Sequence, residues 1–334
     1  MTPFQKFWKP ILIGGLLLLP GPFLRPASSA DATLQEIQDF GSNPGELRMF
    51  VWIPTDLPPS APWVVVLHGC TQTAAAFAQD TGWIKYANEW RFALLLPEQR
   101  PANNRQRCFN WFRPQDASRD QGEALSIRQM VAALQQQHHL DPERLYVTGL
   151  SAGGAMTAVM LATYPEVFAG GAIMAGIPYG CASGTLSGLW CMGWGRDLEP
   201  SQWGAHVRAA TAGLPLTRRP ARLSLWQGDD DGWVDAMNQQ ELLEQWSDAF
   251  GVDRKAAVED LVHGYPHAVY RDEDGTPRIE TYRITGMGHG QPIAPGKAPE
   301  QCGAATDYLL DVGICASYYS ARFWGLQNPA RTTP

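Results

Sequence analysis

The sequence predicts an α/β domain in which a mostly parallel β-sheet carries helices on both faces. Short, continuously apolar runs such as residues 62–67 are typical of strands buried on both sides. These runs alternate along the chain with helical patterns, and this order favours parallel pairing because parallel strands are usually joined through a helix. No linker-like stretch interrupts residues 31–334, which we therefore interpret as a single domain.

Buried strands of this sheet are predicted at 62–67, 92–96, 144–148, 171–174 and 222–226. The first long helix is predicted from Asp120, where Glu123 three residues later suggests a capping box, to the stop signal at 141–142. A second is predicted from about 234 to 250. After residue 268 the pattern changes to that of a hairpin, whose strands are predicted at 268–271 and 279–284.

Composition and charge exclude several classes of protein. The 334 residues are 45% hydrophobic and 18% charged, which is too apolar for an intrinsically disordered chain. The formal net charge of −7 leaves no excess of basic residues to neutralise phosphates. We therefore expect no nucleic acid among its partners.

Residues 1–30 have the three parts of a secretory signal peptide. Lys6 and Lys9 form a positive region, residues 11–19 an apolar region, and residues 28–30 a small-residue cleavage site. The apolar region is shorter than the ~20 residues that span a bilayer. We expect cleavage near Ala30, no stable membrane anchor, and an extracellular or periplasmic product, with an uncleaved N-terminal anchor as the alternative.

Six cysteines in an exported chain favour disulfides over metal sites. None of their spacings is the Cys-x-x-Cys of a zinc or thioredoxin-type site, and we predict no metal ion. Proximity along the chain suggests two bonds and leaves a third by elimination, although six cysteines allow many pairings. The pairs chosen in this way are Cys181–Cys191, Cys302–Cys315 and Cys70–Cys108, and buried free thiols are the alternative.

The strongest chemical signal is the segment Gly149-Leu150-Ser151-Ala152-Gly153. It lies between a predicted strand and a predicted helix, which is the context of a nucleophile elbow. Glycine on both sides removes the side chains that would clash in so sharp a turn, and the turn lifts the Ser151 hydroxyl out of the sheet. The start of the helix presents the Ala152 N–H to an oxyanion. A tight turn without chemistry is the alternative.

A serine nucleophile needs a base and an acid that orients the base, and with this elbow they follow in the order acid, then histidine. The loop after the strand at 222–226 contains three consecutive carboxylates, Asp229, Asp230 and Asp231, and spacing does not choose among them. Three histidines lie beyond this loop. We favour His289, whose glycine neighbours give the ring room to reach the serine, over His263 and His267.

A second oxyanion donor is expected from the loop after the strand at 62–67. Gly69 lets this backbone approach the elbow, and the N–H of Cys70 is the first candidate, with that of Thr71 as the second. A disulfide from Cys70 would hold the donor amide in place. We interpret the neighbouring His68 as a structural residue that bonds the backbone.

The sequence contains thirteen tryptophans, and four of them are candidates for a substrate-binding surface. Trp111 is expected beside the oxyanion loop and is a candidate for the pocket wall. Trp190, Trp194 and Trp203 lie in or after a glycine-rich segment and are candidates for an apolar platform that binds an acyl chain or a polymer. For each of them a place in the core is the alternative.

Six motifs are spread over the chain: LHGCTQT at 67–73, CFNWF at 108–112, residues 141–179, WQGDDDGWV at 226–234, GMGHGQP at 286–292, and the closing residues 302–326. Together they resemble the secreted esterases of the poly(3-hydroxybutyrate) depolymerase family. These enzymes are α/β-hydrolases related to feruloyl and acetylxylan esterases. The resemblance covers nearly the whole of residues 31–334 and implies the α/β-hydrolase fold.

The resemblance also implies a role for three residues, with Ser151 as the nucleophile, His289 as the base and Asp231 as the acid. Asp231 is selected because the family's acid lies three residues after the glycine of an HGxxDxxV pattern, which residues 228–234 match. The chain departs from this pattern at Gln227, which stands in place of the histidine. It also departs at Gly290, where the family often has an aromatic or another small residue, and we expect this to alter the rim of the pocket.

These residues together predict a secreted serine carboxylesterase that needs no cofactor. The resemblance implies that its substrates are hydroxyalkanoate-type polyesters, their oligomers or related short-acyl esters, cleaved through an acyl-enzyme. A feruloyl or acetylxylan-type esterase is one alternative, and a secreted amide or polyamide hydrolase with the same triad is another. A non-catalytic binding module on this scaffold is disfavoured by the complete set of serine, aspartate and histidine.

Overall fold

The computed structural model describes residues 34–211 and 221–327. The predicted signal peptide, residues 1–30, lies outside them, so its cleavage stays a prediction. The described strands are β1 (Gln35–Ile37), β2 (Arg48–Trp52), β3 (Trp63–Leu67), β4 (Ala93–Glu98), β5 (Leu145–Leu150), β6 (Gly170–Met174), β7 (Arg222–Gly228), β8 (Val258–Val262), β9 (Tyr265–Arg271), β10 (Pro277–Ile284), β11 (Gln291–Ile293) and β12 (Leu309–Asp311).

The helices are short to medium in length and alternate with the strands of the central sheet. They are α1 (Ala74–Asp80), α2 (Trp83–Trp90), α3 (Pro114–Ala117), α4 (Gly122–His138), α5 (Ala152–Thr163), α6 (Thr185–Trp194), α7 (Pro200–Ala210), α8 (Met237–Phe250) and α9 (Ala316–Trp324). Within the described ranges, no helix is both long enough and apolar enough to cross a membrane.

Among the described residues, the central sheet has ten strands in the order β1-β2-β4-β3-β5-β6-β7-β10-β9-β8. From β4 across to β10 every neighbouring pair is parallel, whereas the strands at both edges pair antiparallel. The predicted mostly parallel sheet is confirmed, and all five predicted buried strands are present as β3 to β7.

Both faces of this sheet are covered, as continuously apolar strands require. Side chains alternate along β3, so that Val65 and Leu67 enter one hydrophobic core while Val64 and Val66 enter the other. Because β3, β5, β6 and β7 are parallel, the loops that follow β3, β5 and β7 all lie at the carboxyl edge of the sheet. Ligands of open α/β sheets bind at this edge.

The carboxyl-terminal hairpin and the first long helix differ in detail from the prediction. The hairpin exists as β9 and β10, but β10 also pairs in parallel with β7 and an additional strand, β8, pairs with β9. The capping box predicted for Asp120 and Glu123 is wrong. Helix α4 begins at Gly122, and no side chain caps its first turn. Asp120 has a left-handed backbone conformation, and the buried Glu123 side chain accepts hydrogen bonds from Asn110 and Gln99 instead.

Candidate active site

Ser151 occupies the turn between β5 and α5 in a strained conformation, with φ 56° and ψ −117°. Its backbone N–H donates to the Met174 carbonyl at 2.9 Å, which ties the turn to β6. A Cβ on Gly153 would lie 2.2 Å from the Leu67 carbonyl oxygen, so only glycine allows this approach. The sharp strand-to-helix turn predicted at Ser151 is therefore present, and strain of this kind is characteristic of functional sites.

His289 is paired with one carboxylate. Its Nδ1 lies 2.8 Å from Oδ2 of Asp231, and the Asp231 side chain is fully buried while His289 is one-tenth exposed. Because an ionised carboxylate only accepts hydrogen bonds, Nδ1 must be the protonated nitrogen of the neutral ring. Nε2 is then left with a free lone pair, as a general base requires.

The Asp231 carboxylate is saturated with donors. Oδ1 accepts from the backbone N–H groups of Trp233 and Val234, both at 2.9 Å, and Oδ2 accepts from Gln227 Nε2 at 3.0 Å in addition to His289. Burial opposes the charge, but the hydrogen bond and charge of His289 and the two amides outweigh burial and lower the pKa of Asp231. Asp231 is therefore held as an anion.

The other two carboxylates of this loop do different things. We call the loop after β7, residues 229–236, the acid loop, after its three candidate acids. Asp229 Oδ1 accepts from the Gly286 N–H at 2.6 Å, which fastens the acid loop to the loop that carries His289. Asp230 is exposed and contributes only its backbone N–H, which donates to the Met287 carbonyl at 3.1 Å. At Gly228 a Cβ would lie 2.1 Å from the same carbonyl oxygen. The two loops are thus packed backbone against backbone.

The other histidines considered from the sequence do not line the cavity that Ser151 and His289 line. His263 Nε2 is 2.7 Å from the hydroxyl of Tyr319, and His267 Nδ1 is 2.7 Å from Oδ1 of Asp260. His68 is buried, with Nδ1 bonded to the Gly69 carbonyl and Nε2 accepting from a backbone N–H. Burial lowers the pKa of His68, which keeps it neutral in the structural role expected of it.

The loop after β3 separates the two candidate oxyanion donors. The Thr71 N–H donates to the Gln106 carbonyl at 2.6 Å and is therefore occupied. The Cys70 N–H has no hydrogen-bond acceptor among residues 34–211 and 221–327. Ala152 is the first residue of α5, where backbone N–H groups have no partner within the helix. Of the candidate donors, the amides of Cys70 and Ala152 thus have no acceptor within the described residues.

All six cysteines form disulfides, and the bonds are Cys70–Cys108, Cys181–Cys191 and Cys302–Cys315. These are the three pairs chosen from the sequence. The first bond joins the loop after β3 to the CFNWF segment at 108–112, and the second joins Cys181, which precedes α6, to Cys191 within that helix. The described residues contain no group of three His, Cys, Asp or Glu side chains that could hold a metal ion.

A cavity of about 520 Å³ brings these residues together. Ser151, Ala152, Cys70 and His289 all line it. The rest of its wall is largely apolar and includes Trp111, Phe112, Leu150, Ile177, Leu189, Met192, Trp233 and Tyr308. Such a wall suits the aliphatic or aromatic part of an ester better than a charged substrate.

The four tryptophans singled out from the sequence are in three different environments. Trp111 is 7% exposed and belongs to the cavity wall. Trp190 and Trp194 are largely exposed on α6. Trp203 is fully buried, and its Nε1 donates to Glu241 Oε2 at 2.5 Å. The platform role considered for Trp203 is therefore wrong, since a side chain within the core cannot contact a polymer.

Glu123 is a residue that the sequence did not identify as part of the site. It is buried and accepts from the backbone and side-chain nitrogens of Asn110 at 2.8 and 2.7 Å, and from Gln99 Nε2 at 2.5 Å. Burial and the nearby Asp116 raise the pKa of Glu123 to about 8, although these donors oppose the shift. Glu123 thus anchors the segment that carries Trp111, and no local motif indicates this.

This chain is similar to known proteins in both sequence and structure. Residues 52–256 match the family model described as esterase PHB depolymerase. The chain belongs to this family. Poly(3-hydroxyalkanoate) depolymerase C of Paucimonas lemoignei is 47% identical to this esterase over 311 residues, which cover 93% of this chain and 74% of that protein. Feruloyl esterase B of Thermothelomyces thermophilus is 32% identical over 270 residues, covering 79% and 90%.

A solved structure agrees on the fold of this esterase. The acetyl xylan esterase from Aspergillus awamori superposes with a TM-score of 0.74 at 23% identity, over 88% of this chain and 99% of that one. At this identity the likeness shows the fold, which is that of an α/β-hydrolase. The family and its relatives make this chain a carboxylic ester hydrolase.

Proposed function

We propose that this esterase is a secreted serine carboxylesterase that cleaves hydroxyalkanoate-type polyesters, their oligomers or related short-acyl esters. The observation that carries the proposal is the 2.8 Å contact between His289 and Asp231 at the cavity that Ser151 lines. The name of the depolymerase relative supports the substrate class. Three disulfides support secretion, because such bonds persist in oxidising compartments.

The first half of the reaction forms an acyl-enzyme. Ser151 Oγ bonds to the ester carbonyl carbon while His289 Nε2 takes the hydroxyl proton. The carbonyl oxygen becomes an oxyanion that accepts from the N–H groups of Cys70 and Ala152. When the carbonyl re-forms, the bond to the alcohol oxygen breaks, and the alcohol leaves with the proton that His289 returns.

The second half uses water in the same way. His289 Nε2 takes a proton from water as the water oxygen bonds to the acyl carbon. Collapse of this second oxyanion releases the carboxylic acid product and returns a proton to Ser151 Oγ. Asp231 stays ionised throughout, holds Nδ1 of the ring in position and stabilises the transient imidazolium. Its lowered pKa suits this role.

A feruloyl or acetylxylan-type esterase is the second candidate. Relatives with these names support it, and the aromatic lining of the cavity could hold a phenolic acyl group as well as an aliphatic one. The two candidates share every catalytic step and differ only in the ester that enters the cavity. Substrate kinetics therefore separate them.

The test compares the purified protein with its Ser151→Ala variant. Substrates are p-nitrophenyl acetate, butyrate and octanoate, amorphous poly(3-hydroxybutyrate), methyl ferulate, acetylated xylan and a p-nitroanilide. We expect the variant to lose at least about a thousandfold in rate on the short esters, and the wild type to clear the polymer suspension. Equal inactivity of both proteins on every ester would overturn the mechanism, and faster anilide than ester cleavage would indicate an amide hydrolase.

A further inference from the structure

Helix α6 presents an apolar face to solvent. Its sequence, TLSGLWCMGW, contains no charged residue. Leu186 is 85% exposed, Leu189 55%, Trp190 60% and Trp194 64%. A surface helix normally turns its polar side to water, so α6 has the opposite arrangement.

Two neighbouring side chains extend this surface. Trp233 in the acid loop is 61% exposed and Met237 at the start of α8 is 39% exposed. We call the surface formed by Leu186, Leu189, Trp190, Trp194, Trp233 and Met237 the α6 face. Within the part of the chain that the structure describes, only one other large hydrophobic side chain, Leu261 on β8, is comparably exposed. Apolar side chains concentrated in this way mark a surface that binds something.

The helix is firmly attached from behind. Cys191 is bonded to Cys181, and the Cys191 carbonyl accepts from Asn238 Nδ2 at 3.0 Å. The Met192 carbonyl accepts from the Asp235 N–H at 2.8 Å. These bonds satisfy the inner side of the helix. The exposure of its outer side is therefore a property of a fixed element.

The α6 face is continuous with the active-site cavity. Leu189 and Trp233 belong to both, since each lines the cavity and is also more than half exposed. Gly188 and Met192 line the cavity from the inner side of the same helix. A substrate that lies on the α6 face therefore meets the mouth of the cavity that holds Ser151.

We propose that the α6 face docks on the surface of an insoluble, uncharged aliphatic polyester and so brings its ester bonds to the cavity. This inference rests on the proposed function and adds to it a place of contact outside the catalytic residues. The chemistry matches, because a polyester offers alkyl groups and weak acceptors but no charge, and α6 offers leucine and indole without charge.

A polysaccharide surface fits this face less well. Sugars are bound by flat aromatic rings flanked by polar side chains that bond the hydroxyl groups. Trp190 and Trp194 instead stack on each other, with ring centroids 5.0 Å apart and an interplanar angle of 26°, so each covers one face of the other. The other large side chains that are exposed on the helix are Leu186 and Leu189.

The experiment measures adsorption separately from hydrolysis. Two variants are made in the inactive Ser151→Ala background, the double variant Trp190→Ser/Trp194→Ser and the single variant Leu186→Ser. Each protein is mixed with poly(3-hydroxybutyrate) granules, and the protein that stays unbound is measured. We expect the partition coefficient of the double variant to fall roughly tenfold or more and that of Leu186→Ser to fall less, because apolar contact area is lost. Leu261→Ser, which alters the exposed leucine on β8, is the matched control and should adsorb normally.

Further measurements separate a loss of adsorption from a loss of activity or of folding. With Ser151 restored, the double variant should cleave p-nitrophenyl butyrate at the wild-type rate, since Trp190 and Trp194 do not line the cavity. Trp190→Phe/Trp194→Phe should restore adsorption. Unchanged adsorption of the double variant, equal loss in Leu261→Ser, preferential binding to insoluble xylan, or a dimer that dissociates in the double variant would each overturn the proposal. Failure of the proposed function would appear instead as absent ester hydrolysis by the wild type.

Discussion

Gln227 donates its side-chain N–H to Oδ2 of Asp231 at 3.0 Å, the same oxygen that His289 contacts. Gln227 is 1% exposed, and its Nε2 also lies 3.0 Å from the Val234 carbonyl oxygen. The amide thus links the end of β7 to the acid and to the far side of its loop. Because an amide does not titrate, this donor is present at every pH at which the protein is folded.

Gln227→Leu is expected to lower kcat roughly tenfold with KM unchanged, because one charge-assisted hydrogen bond that positions Asp231 is lost. Steady-state kinetics on p-nitrophenyl butyrate measure both constants. Gln239→Leu is the matched control, since Gln239 Nε2 donates to the Leu225 and Tyr282 carbonyls and does not touch the acid loop. An equal loss of kcat in both variants would show that destabilisation, and not positioning, is the cause.

Asp231→Asn is expected to lower kcat by about 10⁴-fold, because an amide no longer selects the ring tautomer that leaves Nε2 of His289 free. Asp230→Asn changes the adjacent, exposed carboxylate and should leave kcat within about twofold of wild type. Hydrolysis rates of the two variants at one pH are sufficient. A large loss in Asp230→Asn with little in Asp231→Asn would reverse the assignment of the acid.

Removal of the Cys70–Cys108 bond, as Cys70→Ala/Cys108→Ala, should lower kcat about tenfold or more, since the donor amide of Cys70 is no longer held against the elbow. The control is Cys302→Ala/Cys315→Ala, whose bond is distant in sequence from the oxyanion loop. Each deletion should reduce stability by about 3 kcal/mol or more. Thermal unfolding and kcat, measured together, show whether only the first variant loses activity beyond its loss of stability.

Glu123 should make stability depend on pH. Its folded-state pKa, about 8, lies above the ~4.3 of an unfolded chain. The stability that protonated Glu123 contributes is therefore fully present below about pH 4.3 and is lost as pH rises through 8. Between pH 5 and 8 we expect Tm of the wild type to fall relative to that of Glu123→Gln.

Tm measured at unit steps from pH 5 to pH 9 checks this expectation. Glu259→Gln, which changes an exposed carboxylate on β8, is the control for loss of a negative charge. A difference between wild type and Glu123→Gln that stays constant over this range would show that Glu123 does not change its protonation there. The readout is how the Tm difference between wild type and Glu123→Gln changes with pH. The size of that difference at a single pH is not used, because Gln at position 123 places a second side-chain amide next to that of Asn110.

The elements of the fold that the sequence predicts well are those specified locally. The run at β3 is apolar at every position, and its predicted bounds differ from the observed ones by one residue. The turn at Ser151 has its own signature in the flanking glycines. The parallel pairing of β10 with β7 depends instead on contacts between segments 56 residues apart in register, such as Leu223 with Ile279. Hydrophobic periodicity does not encode such a partner.

The same distinction applies within the site. Three adjacent aspartates are equivalent by spacing, and what separates them is the side of the loop that each side chain faces, which only the packing against the histidine loop determines. Glu123 has the spacing of a capping residue but is drawn into the interior by Asn110 and Gln99. Trp194 and Trp203 are each followed by a glycine, yet Trp194 is largely exposed on α6 and Trp203 is buried on α7.

Two glycines, Gly228 at the end of β7 and Gly232 in the acid loop, have opposite tolerance to substitution. At Gly228 a single methyl group would act as a wedge between the loops that carry Asp231 and His289, because it would meet the Met287 carbonyl oxygen at 2.1 Å. At Gly232, four residues later, a Cβ would meet no atom within 4 Å. A directed-evolution library that randomises position 232 next to Trp233 would therefore explore new cavity rims on an intact catalytic frame, whereas one that includes position 228 would consist mostly of inactive clones.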